Sequence, residues 1–268
     1  MITTNFHTHT VFCDGKSTPE EMVLAAIEKN FTDLGFSSHS VMYIKSSFAM
    51  KAENEKPYIE EILRLKEKYK NEINVLCGIE LDIFSHKPEF SYDYTIGAVH
   101  YVLKDGMYLA VDKSAEDTKA SVDKYYGGDY DAFAEDYFEL VSNIVEQTNA
   151  DIIGHIDLVS KFDEVLKIER GERYYKASEK CVENLIKYNI PFEINTGAMS
   201  RGYRTTPYPD ERILKMIKDY GGKIAISADC HSKEGLDFGF EEAENLAKKC
   251  GFKEYAIIKN NKIEYINF

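Results

Sequence analysis

The feature that most constrains this chain is an alternation that keeps repeating. Short β-rich runs recur along the sequence, and longer runs with helical spacing fill the gaps between them. Seven of the short runs read as strands: residues 2–6, 33–37, 73–79, 94–100, 151–155, 191–195 and 223–227. Several are apolar on both sides of the pleat, as in Ile152-Ile153-Gly154 and Ile224-Ala225-Ile226. Such strands are buried on both faces, as in a parallel sheet covered by helices. Alternation repeated this often predicts an α/β fold in which a single barrel domain takes up residues 1–268.

The helical runs carry their own punctuation. The clearest opens with Thr18-Pro19-Glu20-Glu21. Thr18 suits an N-cap, Pro19 the first helical position, and Glu21 completes a capping box. Met22, Val23, Ala26 and Ile27 follow with helical spacing. Further helices are expected over 58–70, 132–147, 174–187, 210–220 and 240–250, with Gly221 and Gly251 as C-terminal caps. The end of the chain, 255–259 and 262–266 around Asn260-Asn261, reads as a β-hairpin.

Composition excludes some functions. No apolar run approaches the roughly 18 residues of a membrane span, and residues 1–6 lack the basic and apolar parts of a secretory signal. The five cysteines are odd in number and form no Cys-x-x-Cys pair, which suits reduced thiols in a cytoplasmic protein. A net charge of −13 would repel a polyanion, so neither a membrane nor a nucleic acid is the expected partner. A small anion is still admissible where bound cations gather positive charge in one pocket.

Polar residues at the strand ends supply that pocket. His7 and His9 follow the first strand, and Asp14 lies in the loop beyond. His39 follows the second strand, Glu80 the third, His100 ends the fourth, His155 ends the fifth, and Asp229 and His231 follow the seventh. Six of the seven histidines therefore fall at one mouth of the expected barrel, where barrel enzymes place their active sites. Imidazole and carboxylate together suit zinc, manganese or iron(II). His7 and His9 are two apart on an extended chain and start on one side of it. A carboxylate such as Glu80 has two oxygens and can bridge two ions, and bridged ions lower the pKa of a shared water.

These motifs resemble a known family. His7-Thr8-His9, Asp14, Gly35-Phe36-Ser37-Ser38-His39, Gly78-Ile79-Glu80, Ile96-Gly97-Ala98-Val99-His100, Gly154-His155 and Ser227-Ala228-Asp229-Cys230-His231 follow the ordered pattern of the polymerase-and-histidinol-phosphatase (PHP) family. The similarity is greatest to its histidinol-phosphatase branch. It implies a distorted (β/α)7 TIM-like barrel holding three divalent metal ions. His7, His9, Glu80 and Asp229 would hold one ion, Glu80, His100 and His155 the second, and Asp14, His39 and His231 the third. Cys230 stands between two of these ligands and reads as a buried small residue.

The resemblance further implies hydrolysis of a small phosphate monoester, L-histidinol phosphate, by a metal-bridging hydroxide. Glu80, Asp229 and His231 would be the catalytic residues. Another small phosphomonoester or nucleotide, a nuclease substrate, or a catalytically silent metal-binding barrel are the rival readings. The phosphate needs cations beyond the metals. Arg201 and Arg204 follow the sixth strand, and Ser40 stands beside His39, so these three are the candidate phosphate contacts, ahead of Lys161 and Arg170. Asp82, Tyr43 and Tyr101 are candidates for the ammonium and imidazole end, and His86 is expected to be structural or exposed.

Overall fold

A computed structural model describes residues 2–268. Among the described residues, nine strands form one sheet in the order β1-β2-β3-β4-β7-β8-β9-β10-β11. They are β1 (Thr4–Asn5), β2 (Asp33–Phe36), β3 (Asn74–Asp82), β4 (Tyr94–Ala98), β7 (Ile152–Ile153), β8 (Phe192–Asn195), β9 (Ile224–Ser227), β10 (Glu254–Lys259) and β11 (Lys262–Asn267). Neighbours from β1 to β10 run parallel, and β10–β11 is the antiparallel hairpin expected at the end of the chain.

The first seven of these strands curl into a ring. Beyond the end of β1, Thr8 bridges in parallel to Cys230 beyond the end of β9. His9 N–H donates to the Cys230 carbonyl at 2.9 Å. β9 is thus shared: Ala225 near its start pairs with Ala256 of β10, and its continuation turns to meet β1. This divided pairing is the distortion of the barrel.

The interior explains two of the glycines. Tyr94 points into the barrel, its hydroxyl 2.5 Å from the Phe6 carbonyl and 3.1 Å from that of Phe36. A Cβ on Gly35 would come within 2.4 Å of that hydroxyl, and one on Gly78 within 2.3 Å of the ring. Only glycine at both positions lets one tyrosine tie β1, β2 and β4 together.

Helix 19–28 (Pro19–Glu28) forms with the capping box at Thr18 and Glu21. Elsewhere the boundaries move. The expected helix over 58–70 starts earlier, as Ala52–Lys68, and carries Pro57 inside it. The run expected as one helix over 132–147 is two, Tyr130–Val141 and Ile144–Thr148. At the break, Ser142 Oγ donates to the Phe138 carbonyl and Asn143 Nδ2 to that of Glu139, both at 2.8 Å. These side chains compete for helix carbonyls, which weakens the helix there. A hairpin, β5 (Tyr101–Lys104) and β6 (Met107–Ala110), and a helix, Ala115–Tyr126, were not anticipated. Asp105 and Gly106 turn that hairpin at φ 50° and 75°, the left-handed pair a two-residue turn uses. Among the described residues no helix is long and apolar enough to cross a membrane.

Candidate metal centre

Past β1 the chain stays extended, and His7 and His9 leave it fully buried. Glu80 in β3 is the hub and is 1% exposed. Its Oε2 lies 3.4 Å from His7 Nε2, 3.6 Å from His9 Nε2 and 2.7 Å from His39 Nδ1. Its Oε1 lies 2.9 Å from His155 Nε2 and 3.5 Å from His100 Nε2. Asp229 Oδ1 stands 3.1 Å from His9 Nε2 and 3.7 Å from His7 Nε2. Nearer solvent, Asp14 places Oδ2 3.3 Å from His231 Nε2 and Oδ1 3.7 Å from His39 Nε2. The structure thus brings together every residue expected to hold metal.

The donors overlap rather than form separate cages. His9 stacks on His231 with ring centroids 4.2 Å apart and lies 4.3 Å from His39. His39 faces Glu80 with one nitrogen and Asp14 with the other. Groups of donor atoms lying within 4.8 Å of one another include His9, Asp14, His39 and His231, and also His39, Glu80 and His100.

Orphaned atoms show what such a cluster can hold. His7 Nε2, His9 Nε2 and Glu80 Oε2 are buried and, despite these close approaches, have no partner in hydrogen-bonding geometry among the described residues. Buried polar atoms left without a partner are costly, and a cation among them removes the cost. Imidazole nitrogen and carboxylate oxygen are the donor set of zinc, manganese and iron(II). The residues fit divalent cations, and this is a divalent-metal-binding site.

Protons compete for the same atoms. Burial disfavours charge on His7, but Glu193, Glu80 and Asp229 outweigh it and raise its pKa. Burial likewise opposes Glu80 and Asp82 at His100, whose pKa still stands at about 9. His9 goes the other way: burial, then His231 and His39, bring it down to about 3. Its ring is neutral, with a lone pair ready for a cation. Burial pushes Glu80 up, and His39, His7 and His100 more than offset it, so the carboxylate stays ionised. A cation that binds must displace the protons of His7 and His100, so loading releases protons.

The family model of the PHP domain matches residues 5–197, more than half of the chain. The chain belongs to the PHP-domain family. A probable histidinol-phosphatase of Schizosaccharomyces pombe is 24% identical over 263 residues, covering 90% of this chain and 83% of that one. The histidinol-phosphatase of Bacillus subtilis is 24% identical over 259 residues, covering 88% and 96%. Among solved structures, the histidinol phosphate phosphatase of Lactococcus lactis, complexed with zinc, L-histidinol and phosphate, matches with a TM-score of 0.73 at 21% identity. That match covers 98% of each chain. The likeness confirms the fold expected from the sequence.

In this PHP domain further carboxylates hold the histidines in place. Glu193 of β8, fully buried, sets Oε1 2.5 Å from His7 Nδ1. It also accepts from His155 N–H at 2.8 Å, Asn195 Nδ2 at 2.9 Å and Ser227 Oγ at 2.5 Å. Asp82 accepts from His100 N–H at 2.8 Å and faces its Nδ1 at 3.0 Å. Outer partners of this kind fix ring orientation and raise ligand basicity. Sequence reasoning missed Glu193, although a lone acid in the apolar run Phe192-Glu193-Ile194 was its signal. Asp82 was considered only as a contact for a substrate cation. Replacing Glu193 with glutamine is expected to weaken metal affinity by about 10–100-fold. Competition against a chelator measures it, and an unchanged affinity would remove Glu193 from this role.

The expected anion contacts divide. Arg201 lines the mouth, with Nη1 3.1 Å from His231 Nδ1 and Nη2 3.4 Å from Asp229 Oδ2. Gly197 makes room for this pair: a Cβ there would lie 2.8 Å from Asp229 Oδ2 and 3.0 Å from Arg201 Nη2. Lys161 also lines the mouth, and its Nζ donates to the Asp112 carbonyl at 2.9 Å. Arg204 is placed elsewhere, with Nη1 on Ser160 Oγ at 2.5 Å. Ser40 is placed elsewhere as well: its hydroxyl meets that of Ser85, on a separate surface pocket that also includes His86. Arg170 forms a two-pronged pair with Asp163 at 2.7 and 2.8 Å. Tyr101 lines the mouth, whereas Tyr43 is 53% exposed and packs on Phe84. Each of these positions depends on how one loop turns, which strand periodicity does not encode.

Proposed function

We propose that this PHP domain is a metal-dependent histidinol-phosphatase that converts L-histidinol phosphate to L-histidinol and phosphate. The observation that carries the reading is Glu80, shared by five imidazoles at the mouth where Arg201 also lies. Names of relatives that match nearly the whole chain support the choice of substrate. The mouth opens on a cavity of about 520 Å³, a size suited to a small monoester.

We assign three divalent ions, zinc, manganese or iron(II). His7, His9, Glu80 and Asp229 would hold one, Glu80, His100 and His155 the second, and Asp14, His39 and His231 the third. When bound, such ions supply an activated water and neutralise phosphoryl oxygens. The chain's own residues do the rest. Arg201 takes a phosphate oxygen, and the Lys161 ammonium, paired with Asp112, adds a second cation to the same mouth. Phe48 lies 4.5 Å from the His39 ring and 4.9 Å from that of His100, and shields them from bulk water. Asp229 and His231 flank Arg201 and keep its guanidinium at the mouth, and the departing alkoxide takes its proton from water.

The test is phosphate release from L-histidinol phosphate, from other phosphomonoesters and from a nucleotide, after reconstitution with each metal. We expect kcat/KM for histidinol phosphate to exceed the others by about 100-fold or more, because a site that hydrogen-bonds polar groups rejects analogues lacking them. Chelation should abolish turnover and added metal restore it. Equal rates on every ester would refute the substrate, and no release from any of them would refute the enzyme.

A further inference from the structure

We infer that Arg204 is a positioning residue that sets Arg201 and Lys161 at a fixed separation across the mouth. The inference rests on the phosphate role of Arg201 proposed above. Arg201 and Arg204 stand on one loop, the connection that leaves β8 and returns at Tyr208, whose N–H donates to the Asn195 carbonyl at 2.8 Å. Lys161 stands on another, the segment that leaves β7 through His155. The two loops come from neighbouring strands, and the substrate phosphate would sit between their cations.

Arg204 is a cationic link between these loops. Its Nη1 donates to Ser160 Oγ at 2.5 Å and to the Ser160 carbonyl at 3.3 Å, next to Lys161 in the chain. Its Nε donates back to the Thr206 carbonyl of its own loop at 3.2 Å. The guanidinium lies over the Tyr208 ring, 4.6 Å from its centroid. Ser160 continues the chain of contacts, donating to the Asp157 carbonyl at 2.7 Å, and Asp157 Oδ2 accepts from Asp210 N–H at 2.9 Å. One planar, multidentate cation thus grips both loops and stacks on Tyr208 where the second loop returns. Lysine, a point charge with no fork, cannot make these contacts together. The 203–206 stretch adds further links, with Thr205 N–H donating to the Glu164 carboxylate at 2.9 Å and Tyr203 packing edge-on to Phe162.

Arg204 therefore acts on the anion through Arg201 and Lys161 rather than by touching it. Misplacing a binding group by about 1 Å can cost up to about 100-fold. Inorganic phosphate is the probe, titrated calorimetrically into the metal-loaded protein, alongside kcat and KM for histidinol phosphate. Arg204→Ala should weaken phosphate binding and raise KM by about 10-fold or more, with metal content intact and kcat changed less than KM. Arg204→Lys should not restore binding. The decisive comparison is Arg201→Ala against Arg201→Ala/Arg204→Ala. If Arg204 works through these two cations, its effect shrinks when Arg201 is absent and vanishes when Lys161→Ala is added, whereas independent sites add to within about 2-fold. Fully additive losses, or unchanged phosphate affinity in Arg204→Ala, would overturn the inference. Should Arg204→Ala fail to fold, Ser160→Ala removes the far end of the same bond and must shift phosphate affinity in the same direction. If the wild type binds phosphate but hydrolyses no ester, the functional reading fails while the Arg204 inference is still decided by the binding data.

Discussion

Glu80→Ala is expected to lose metal and to drop turnover by at least about 1,000-fold, or roughly 4 kcal/mol of barrier. Both oxygens of Glu80 face imidazole nitrogens, so one truncation removes a donor from more than one ion position. It also removes one of the carboxylates that raise the pKa of His7 and His100 against the effect of burial. Truncating a buried acceptor that several imidazoles share costs about 1–3 kcal/mol, so the variant should also unfold earlier. Metal analysis by mass spectrometry, thermal melting and phosphate release together read the result. A variant with wild-type metal content and activity would refute the hub role of Glu80.

Arg201→Ala is expected to lower kcat/KM by about 100–1,000-fold, the usual effect of removing one preorganised group that stabilises developing charge. The metal content should stay near normal, because Arg201 touches Asp229 and His231 from outside the donor cluster, at 3.4 and 3.1 Å. Inhibition by inorganic phosphate should weaken in parallel, and Arg201→Lys should recover part of the loss by restoring the charge without the fork. Activity within about 2-fold of wild type would show that the arginine is bound to Asp229 for structure alone.

The contrast between Arg201 and Arg204 shows where sequence reading stopped. Both follow the sixth strand, three residues apart, and both were equal candidates for the anion. The loop turns between them at Gly202, φ 75°, so one guanidinium faces the mouth and the other faces Ser160. Ser40 adjoins His39, yet its hydroxyl points to Ser85 while His39 turns to Glu80. Adjacent residues leaving a strand end point in opposite directions. Which of them faces inward depends on the register of the whole barrel.

Glu193 was hidden for a different reason. It lies within β8 itself, not beyond the strand's end, and the groups it satisfies, His7, His155 and Ser227, come from three distant stretches of chain. No spacing rule in one sequence connects residue 193 to residue 7. The break at Ser142 and Asn143 was local, by contrast, and failed only because a helical stripe of apolar residues ran across two side chains able to cap the first helix.

By itself the sequence determined the α/β alternation, the first helix with its cap, the final hairpin, and the kinds of donor placed at each strand end. Those follow from local rules: side-chain period, capping chemistry and the positions of histidine and carboxylate along the chain. Tertiary structure alone decided the ring closure through Thr8 and Cys230, the convergence of five imidazoles on Glu80, the grip of Glu193 on His7, and the separate placements of Arg201 and Arg204. Each of these is a contact between residues far apart in sequence, and its geometry is set only when the strands take their final register and the loops between them are packed.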